Sequence, residues 1–195
     1  MPRPSPTSSR LYRVAWAFYL FLALAGLVGL AAQGRRVDLR LAVDPASWWV
    51  DVALGLGAGG LLLAGWLAAR RTLPAAGRLE ATLARLLGPL SRSEIVALAL
   101  ISAISEELAF RGALQHAAGW LPAAAVFALL HLGPGPPFRL WSLFALVGGL
   151  VFGGLVVWRE ALAAPILGHL LVNLVQLRRL AEVRGADTAG LLPDE

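Results

Sequence analysis

Long uncharged runs alternate with short charged ones along this chain. Residues 14–33, 52–69 and 140–158 carry no Asp, Glu, Lys or Arg, and neither do residues 161–177, whose polar side chains are few. A hydrocarbon core about 30 Å thick needs about 20 apolar residues in a helix. These runs are therefore predicted to be transmembrane helices. The first is too long for the apolar part of a secretion signal, and no small-x-small cleavage site follows it.

The segments between them read differently. In residues 70–92, Leu79, Leu83, Leu86 and Leu87 fall at helical spacing among Arg78, Glu80 and Arg85. That pattern predicts an amphipathic helix lying on the membrane surface. Ser91 and Ser93 are candidate N-caps for the next helix, which extends to about Gly119. Residues 121–133 form a short apolar helix ended by the Gly-Pro-Gly-Pro-Pro run at 133–137. Gly55 with Gly59, and Gly149 with Gly153, are spaced for close helix packing. Trp48 and Trp49 precede the second run as an interfacial anchor.

The expected architecture is an all-α polytopic bundle of about six spans plus an interfacial amphipathic helix. The expected organisation is a disordered tail over 1–13, two spans and the amphipathic connector over 14–90, a core over 91–178 and a tail over 179–195.

Composition agrees with this pattern. The chain is 58% hydrophobic and 15% charged, with a mean hydropathy of +0.70, where soluble domains carry about 25% charge. It has no cysteine, which excludes disulfides, thiol catalysis and Cys-ligated metal. The net charge is +5 and every basic residue is arginine. The arginines sit between apolar runs rather than in one patch, which argues against a nucleic-acid partner. Arg3, Arg10 and Arg13 precede the first run, and Arg70, Arg71, Arg78, Arg85 and Arg92 follow the second. The positive-inside rule places both groups in the cytoplasm. The expected location is a bacterial cytoplasmic membrane, with lipid and a peptide or protein substrate as partners.

Ionisable residues inside membrane helices are costly, about 2.5–3.5 kcal/mol for a central carboxylate on insertion scales. They mark function by default. Glu107 and Arg111 are four apart in the favoured orientation for a helical ion pair. Arg111 either neutralises Glu107 or holds a substrate carbonyl or carboxylate. Glu106 is rotated about 100° from Glu107 and shares a face with Ala99, Ser102, Ala103, Phe110 and Ala113. It is a candidate general base. His131 and His169 come from two further apolar helices, and Asn173 lies one turn beyond His169. An imidazole and an amide on one face can donate to one oxygen as an oxyanion hole. Alternatively, Glu106, His131 and His169 supply three ligands to a divalent metal such as zinc, with water as the fourth. His116 projects away from both glutamates and is read as structural.

The run Glu106-Glu107-x-x-x-Arg111 resembles the EExxxR motif of the CAAX protease and bacteriocin-processing family. Phe127-x-x-x-His131 and His169-x-x-x-Asn173 resemble that family's FxxxH and HxxxN motifs, in the same order. The resemblance spans roughly residues 91–177. It implies an all-helical intramembrane endopeptidase in which Glu106 and His131 activate water, His169 and Asn173 stabilise the oxyanion, and Glu107 and Arg111 support them. The resemblance admits both a metalloprotease and a metal-free glutamate protease. The competing expectations are a non-catalytic scaffold or bacteriocin self-immunity protein of the same fold, and a proton-coupled transporter. The first two spans lack ionisable groups, unlike the paired repeats of many transporters.

Overall fold

A computed structural model describes the backbone of residues 6–34, 48–87 and 89–188. All the regular structure in these residues is helical. Helix α1 spans Pro6–Ala32, α2 Trp48–Thr72 and α3 Pro74–Leu87. Helix α4, Arg92–Glu106, continues through a π-helical segment, Glu107–Leu114, into the single turn α5, Gln115–Ala118. Helices α6, Trp120–Leu130, α7, Pro136–Arg159, and α8, Ala163–Thr188, complete the bundle.

Three of these helices are long and apolar enough to cross a membrane: Leu11–Ala32, Trp48–Thr72 and Pro136–Arg159. About six spans were expected. Two of the others are interrupted by the polar residues they carry, Glu106, Glu107 and Arg111 on one and His169 and Asn173 on the other. Helix α6 has 11 residues and rises about 16 Å, half of what a bilayer core requires. On α1, Val14, Phe18, Phe21, Leu24 and Val28 form an exposed apolar stripe at helical spacing. Such a stripe suits lipid and not water.

Several boundaries differ from the sequence reading. Helix α1 begins at Pro6, inside the stretch read as a disordered tail, and proline is favoured at such a position because its missing N–H is not needed there. Helix α8 continues through Arg178 and Arg179 to Thr188, past the expected end of the core. Residues 1–5, 35–47, 88 and 189–195 lie outside the described residues. Asp51 sits in the first turn of α2 and is buried. Arg159 at the end of α7 donates from Nε to its Oδ1 at 2.7 Å, which ties the two helix ends together.

The amphipathic helix packs against the bundle. Ala76, Leu79, Glu80 and Ala84 of α3 are buried, with Leu79 packed among Trp66 and Phe138. The apolar face of α3 is therefore turned towards the bundle. Glu80 is the anchor. It accepts from Trp66 Nε1 at 2.8 Å and Arg70 Nε at 2.5 Å, and Arg179 Nη2 lies 3.5 Å away.

Ser91 caps α4, with Glu94 N donating to its Oγ and Glu94 Oε2 accepting from Ser91 N. This reciprocal box satisfies two otherwise orphaned donors. The paired glycines act as their spacing suggests. A Cβ on Gly55 would lie 2.4 Å from the carbonyl oxygen of Ala164, and one on Gly59 would lie 2.6 Å from that of Gly168. Helices α2 and α8 thus meet backbone to backbone. Gly59→Val is expected to push α8 away and lower stability by about 1–3 kcal/mol, as overpacking does. Gly57 is the control, because a Cβ there would meet nothing within 4 Å. Gly57→Ala is expected to leave the thermal midpoint of the detergent-solubilised protein unchanged.

Candidate active site

Polar residues of α4, the end of α6 and α8 converge on one cavity of about 340 Å³. Glu106, His131, His169 and Asn173 all line it, with Ser102 from α4, Tyr19 from α1 and Glu80 from α3. Most of its remaining wall is apolar, including Trp66, Leu83, Leu98, Phe138 and Trp141. It lies towards the bundle end where α3 packs.

Adjacent glutamates at the junction of α4 and the π segment straddle one imidazole. His169 Nδ1 is 2.7 Å from Glu107 Oε1, and His169 Nε2 is 3.6 Å from Glu106 Oε2. An ionised carboxylate only accepts, so Nδ1–H donates to Glu107. That bond fixes the ring and turns Nε2 towards Glu106, the usual way a carboxylate orients a working histidine. The second distance is too long for a hydrogen bond. Glu107 Oε1 also lies 3.1 Å from Arg111 Nη1. Glu107, Arg111 and His169 are all buried, and the guanidinium of Arg111 lies over the Phe127 ring at 4.5 Å. The pairing expected for Glu107 with Arg111 is present, and Glu107 also holds His169.

His131 ends α6 at φ −93° and ψ 1°. Its Nδ1 bonds the Phe127 carbonyl at 2.7 Å, so Nδ1 carries the proton and Nε2 is the free acceptor of the neutral ring. Its ring packs on Phe127 at 4.4 Å and edge-on against Trp141 at 5.2 Å. The same phenyl lies edge-on to His169, with 6.2 Å between the ring centroids. The imidazole beside Glu106 is thus His169. Asn173 donates from Nδ2 to Ser102 Oγ at 2.8 Å, and Ser102 in turn donates to the Ala99 carbonyl. One amide hydrogen of Asn173 remains for another acceptor. His116 is exposed and lies away from the cavity wall.

The proposed ligand set of Glu106, His131 and His169 does not assemble. Among the described residues no group of three His, Cys, Asp or Glu side chains is placed to hold a metal ion. His131 turns Nδ1 into its own helix and its ring against aromatic neighbours, and His169 is bound through Nδ1 to Glu107. The metalloprotease expectation finds no support in this geometry.

Two contributors escaped the sequence reading. Tyr19 of α1 lines the same cavity as Glu106. A lone phenol in an uncharged span was the available signal. Glu80 was read as a polar position between leucines, and its burial depends on helices distant in sequence.

Residues 89–175 match the family described as type II CAAX prenyl endopeptidase Rce1-like. This range contains all three motifs and both histidines of the cavity. Residues 89–175 are an Rce1-like domain. The uncharacterized protein YpbD of Bacillus subtilis is 35% identical over 86 residues, which cover 42% of each chain. The chain thus spans less than half the length of the curated relative it matches. No solved structure matches significantly. The Rce1-like domain is of a membrane protease type, and with its three apolar helices the chain is an integral membrane protein.

Proposed function

We propose that this protein is an intramembrane endopeptidase that hydrolyses a peptide bond with water activated by Glu106. The observation that carries the reading is the convergence of Glu106, His131, His169 and Asn173 on one cavity, with Arg111 engaged by Glu107 rather than by Glu106. Glu106 has no arginine partner among the described ion pairs, and the nearest nitrogen given for it is His169 Nε2 at 3.6 Å.

The mechanism follows from which atoms are available. A substrate peptide enters the cavity, its apolar side chains against Trp66, Leu83 and Leu98. Glu106 takes a proton from a water whose other hydrogen is accepted by His131 Nε2. The hydroxide attacks the scissile carbonyl carbon. His169, protonated at both nitrogens, keeps Nδ1–H on Glu107 and gives Nε2–H to the developing O⁻, and Asn173 gives its second amide hydrogen. Glu106 then returns the proton to the departing amine. The arginine-rich end near the cavity faces the cytoplasm of a bacterial cell under the positive-inside rule.

The substrate is a membrane-associated peptide, either prenylated or of the leader type. The test uses purified protein in liposomes with two quenched fluorescent probes: a farnesylated peptide ending in a CAAX sequence, and an unlipidated peptide with an apolar leader segment. Cleavage of either supports the reading, and failure of the wild-type chain to cleave both would sink it. Asn173→Ala is expected to slow cleavage about 100- to 1000-fold, the usual cost of one oxyanion donor, read from kcat on whichever probe is cut. A non-catalytic scaffold would give no cleavage to slow.

A further inference from the structure

We infer that Ser102, which belongs to none of the three motifs, is a positioning residue that holds the Asn173 amide towards the reacting carbonyl. The inference rests on the peptidase reading and adds a residue to the site.

The contacts between α4 and α8 carry it. Asn173 donates from Nδ2 to Ser102 Oγ at 2.8 Å. Ser102 donates in turn to the Ala99 carbonyl at 3.2 Å. Its oxygen is left to accept, so the amide must present its nitrogen. Ser102 is 3% exposed, and both side chains line the cavity. Ser102 lies four residues before Glu106 on α4, and Asn173 lies four residues after His169 on α8. The helices run antiparallel here and meet in two rungs, Ser102 with Asn173 and Glu106 with His169. Four residues rise about 6 Å, so the rungs are one turn apart. The Glu106–His169 rung, at 3.6 Å, is too long for a hydrogen bond. The Ser102–Asn173 rung is a direct one.

The chemistry of that bond assigns the role. A primary amide has two N–H donors and a carbonyl acceptor, and the torsion that turns it is broad and roughly two-fold. Without a partner the group presents its oxygen to the cavity as readily as its nitrogen. An amide oxygen facing a developing O⁻ repels it. With one hydrogen held by Ser102, the other is fixed in the amide plane and available to the cavity. Oxyanion donors act by being in place before the charge develops. The hydroxyl hydrogen of Ser102 is engaged by Ala99, so Ser102 acts through Asn173 and its loss is expressed in kcat.

The chain has one asparagine. Asparagine nitrogen-labelled in its side chain thus gives one pair of NMR signals, that of the Asn173 amide, in the full-length protein in micelles. The expected result is that this pair moves in Ser102→Ala. In liposomes, Ser102→Ala is expected to lower kcat on the cleaved probe about 3- to 10-fold, the contribution of one hydrogen bond between neutral groups, with KM within about twofold. In an Asn173→Ala background the same substitution is expected to change kcat by less than about twofold, because the residue it acts through is gone. A serine that only packs would cost the same factor in both backgrounds, and that outcome overturns the positioning role. Wild-type kcat in Ser102→Ala, or a loss confined to KM, also overturns it, while the peptidase reading stands. An unmoved pair of signals overturns the contact. No cleavage by the wild-type chain overturns the peptidase reading and the positioning role with it, even where the signals move.

Discussion

Glu106→Ala is expected to abolish cleavage of a probe that the wild-type chain cuts, with a fall in kcat of at least about 100- to 10,000-fold, the range contributed by a positioned acid or base. The physical reason is that Glu106 occupies both proton-transfer steps, taking the proton from water and returning it to the amine. No neighbour replaces it. Glu107 is engaged with Arg111 and His169, and His131 bonds the Phe127 carbonyl through Nδ1. The fold should survive, because Glu106 makes no arginine ion pair among the described residues and its face is lined by the small residues Ala99 and Ala103. Circular dichroism and the thermal midpoint check that point. Wild-type turnover by Glu106→Ala would end the assignment. A scaffold or immunity role would persist in this variant, so a protective phenotype that survives Glu106→Ala favours that alternative.

Glu107→Ala should have the largest effect on stability. It removes the carboxylate that pairs with a guanidinium 2% exposed and enclosed by Phe127 and Phe152. Breaking a buried pair from one side typically costs about 3–5 kcal/mol, because the remaining charge is uncompensated. The detergent-solubilised protein should show a lowered thermal midpoint. Glu107→Leu combined with Arg111→Leu should recover much of that stability, since apolar replacement of a whole buried pair is often neutral or stabilising. Cleavage should not recover, because His169 Nδ1 still lacks its acceptor. If the double variant cleaves at the wild-type rate, Glu107 is a structural counter-ion with no part in holding His169. If it is as unstable as Glu107→Ala, the unpaired charge is not the cause of the loss.

The site was legible in the sequence to an unusual degree because membranes penalise polar residues. Glu106, Glu107, Arg111, His131, His169 and Asn173 stand out against apolar runs, and the three four-residue motif spacings place each pair on one helical face. The roles within the cluster were less legible. Helical rotation separates Glu106 from Glu107 by about 100°, which suggested unrelated partners. In the folded chain both carboxylates reach His169, because an imidazole offers nitrogens on two edges. The π-helical segment Glu107–Leu114 was not predicted at all. A shift from i→i−4 to i→i−5 hydrogen bonding leaves no local residue pattern, and such segments are frequent at functional sites.

Glu80 and Asp51 illustrate the same limit. Each is a carboxylate whose neighbours in sequence give no sign of burial, and each is buried with a guanidinium from another helix. Local periodicity reports which residues share a face. It does not report which other helix covers that face.

The sequence by itself determined that this chain is helical and apolar enough for a membrane, where its glycine pairs allow close packing, and which polar residues stand out as candidates for chemistry, because hydropathy and helical spacing are properties of neighbouring residues. Tertiary structure alone decided that Tyr19 of α1 lines the cavity, that α3 buries Leu79 and Glu80 in the bundle, that His169 rather than His131 lies beside the glutamates, and that no three ligands converge for a metal among the described residues. Each of these is a contact between segments far apart in the chain, set by how whole helices pack, and no local pattern encodes it.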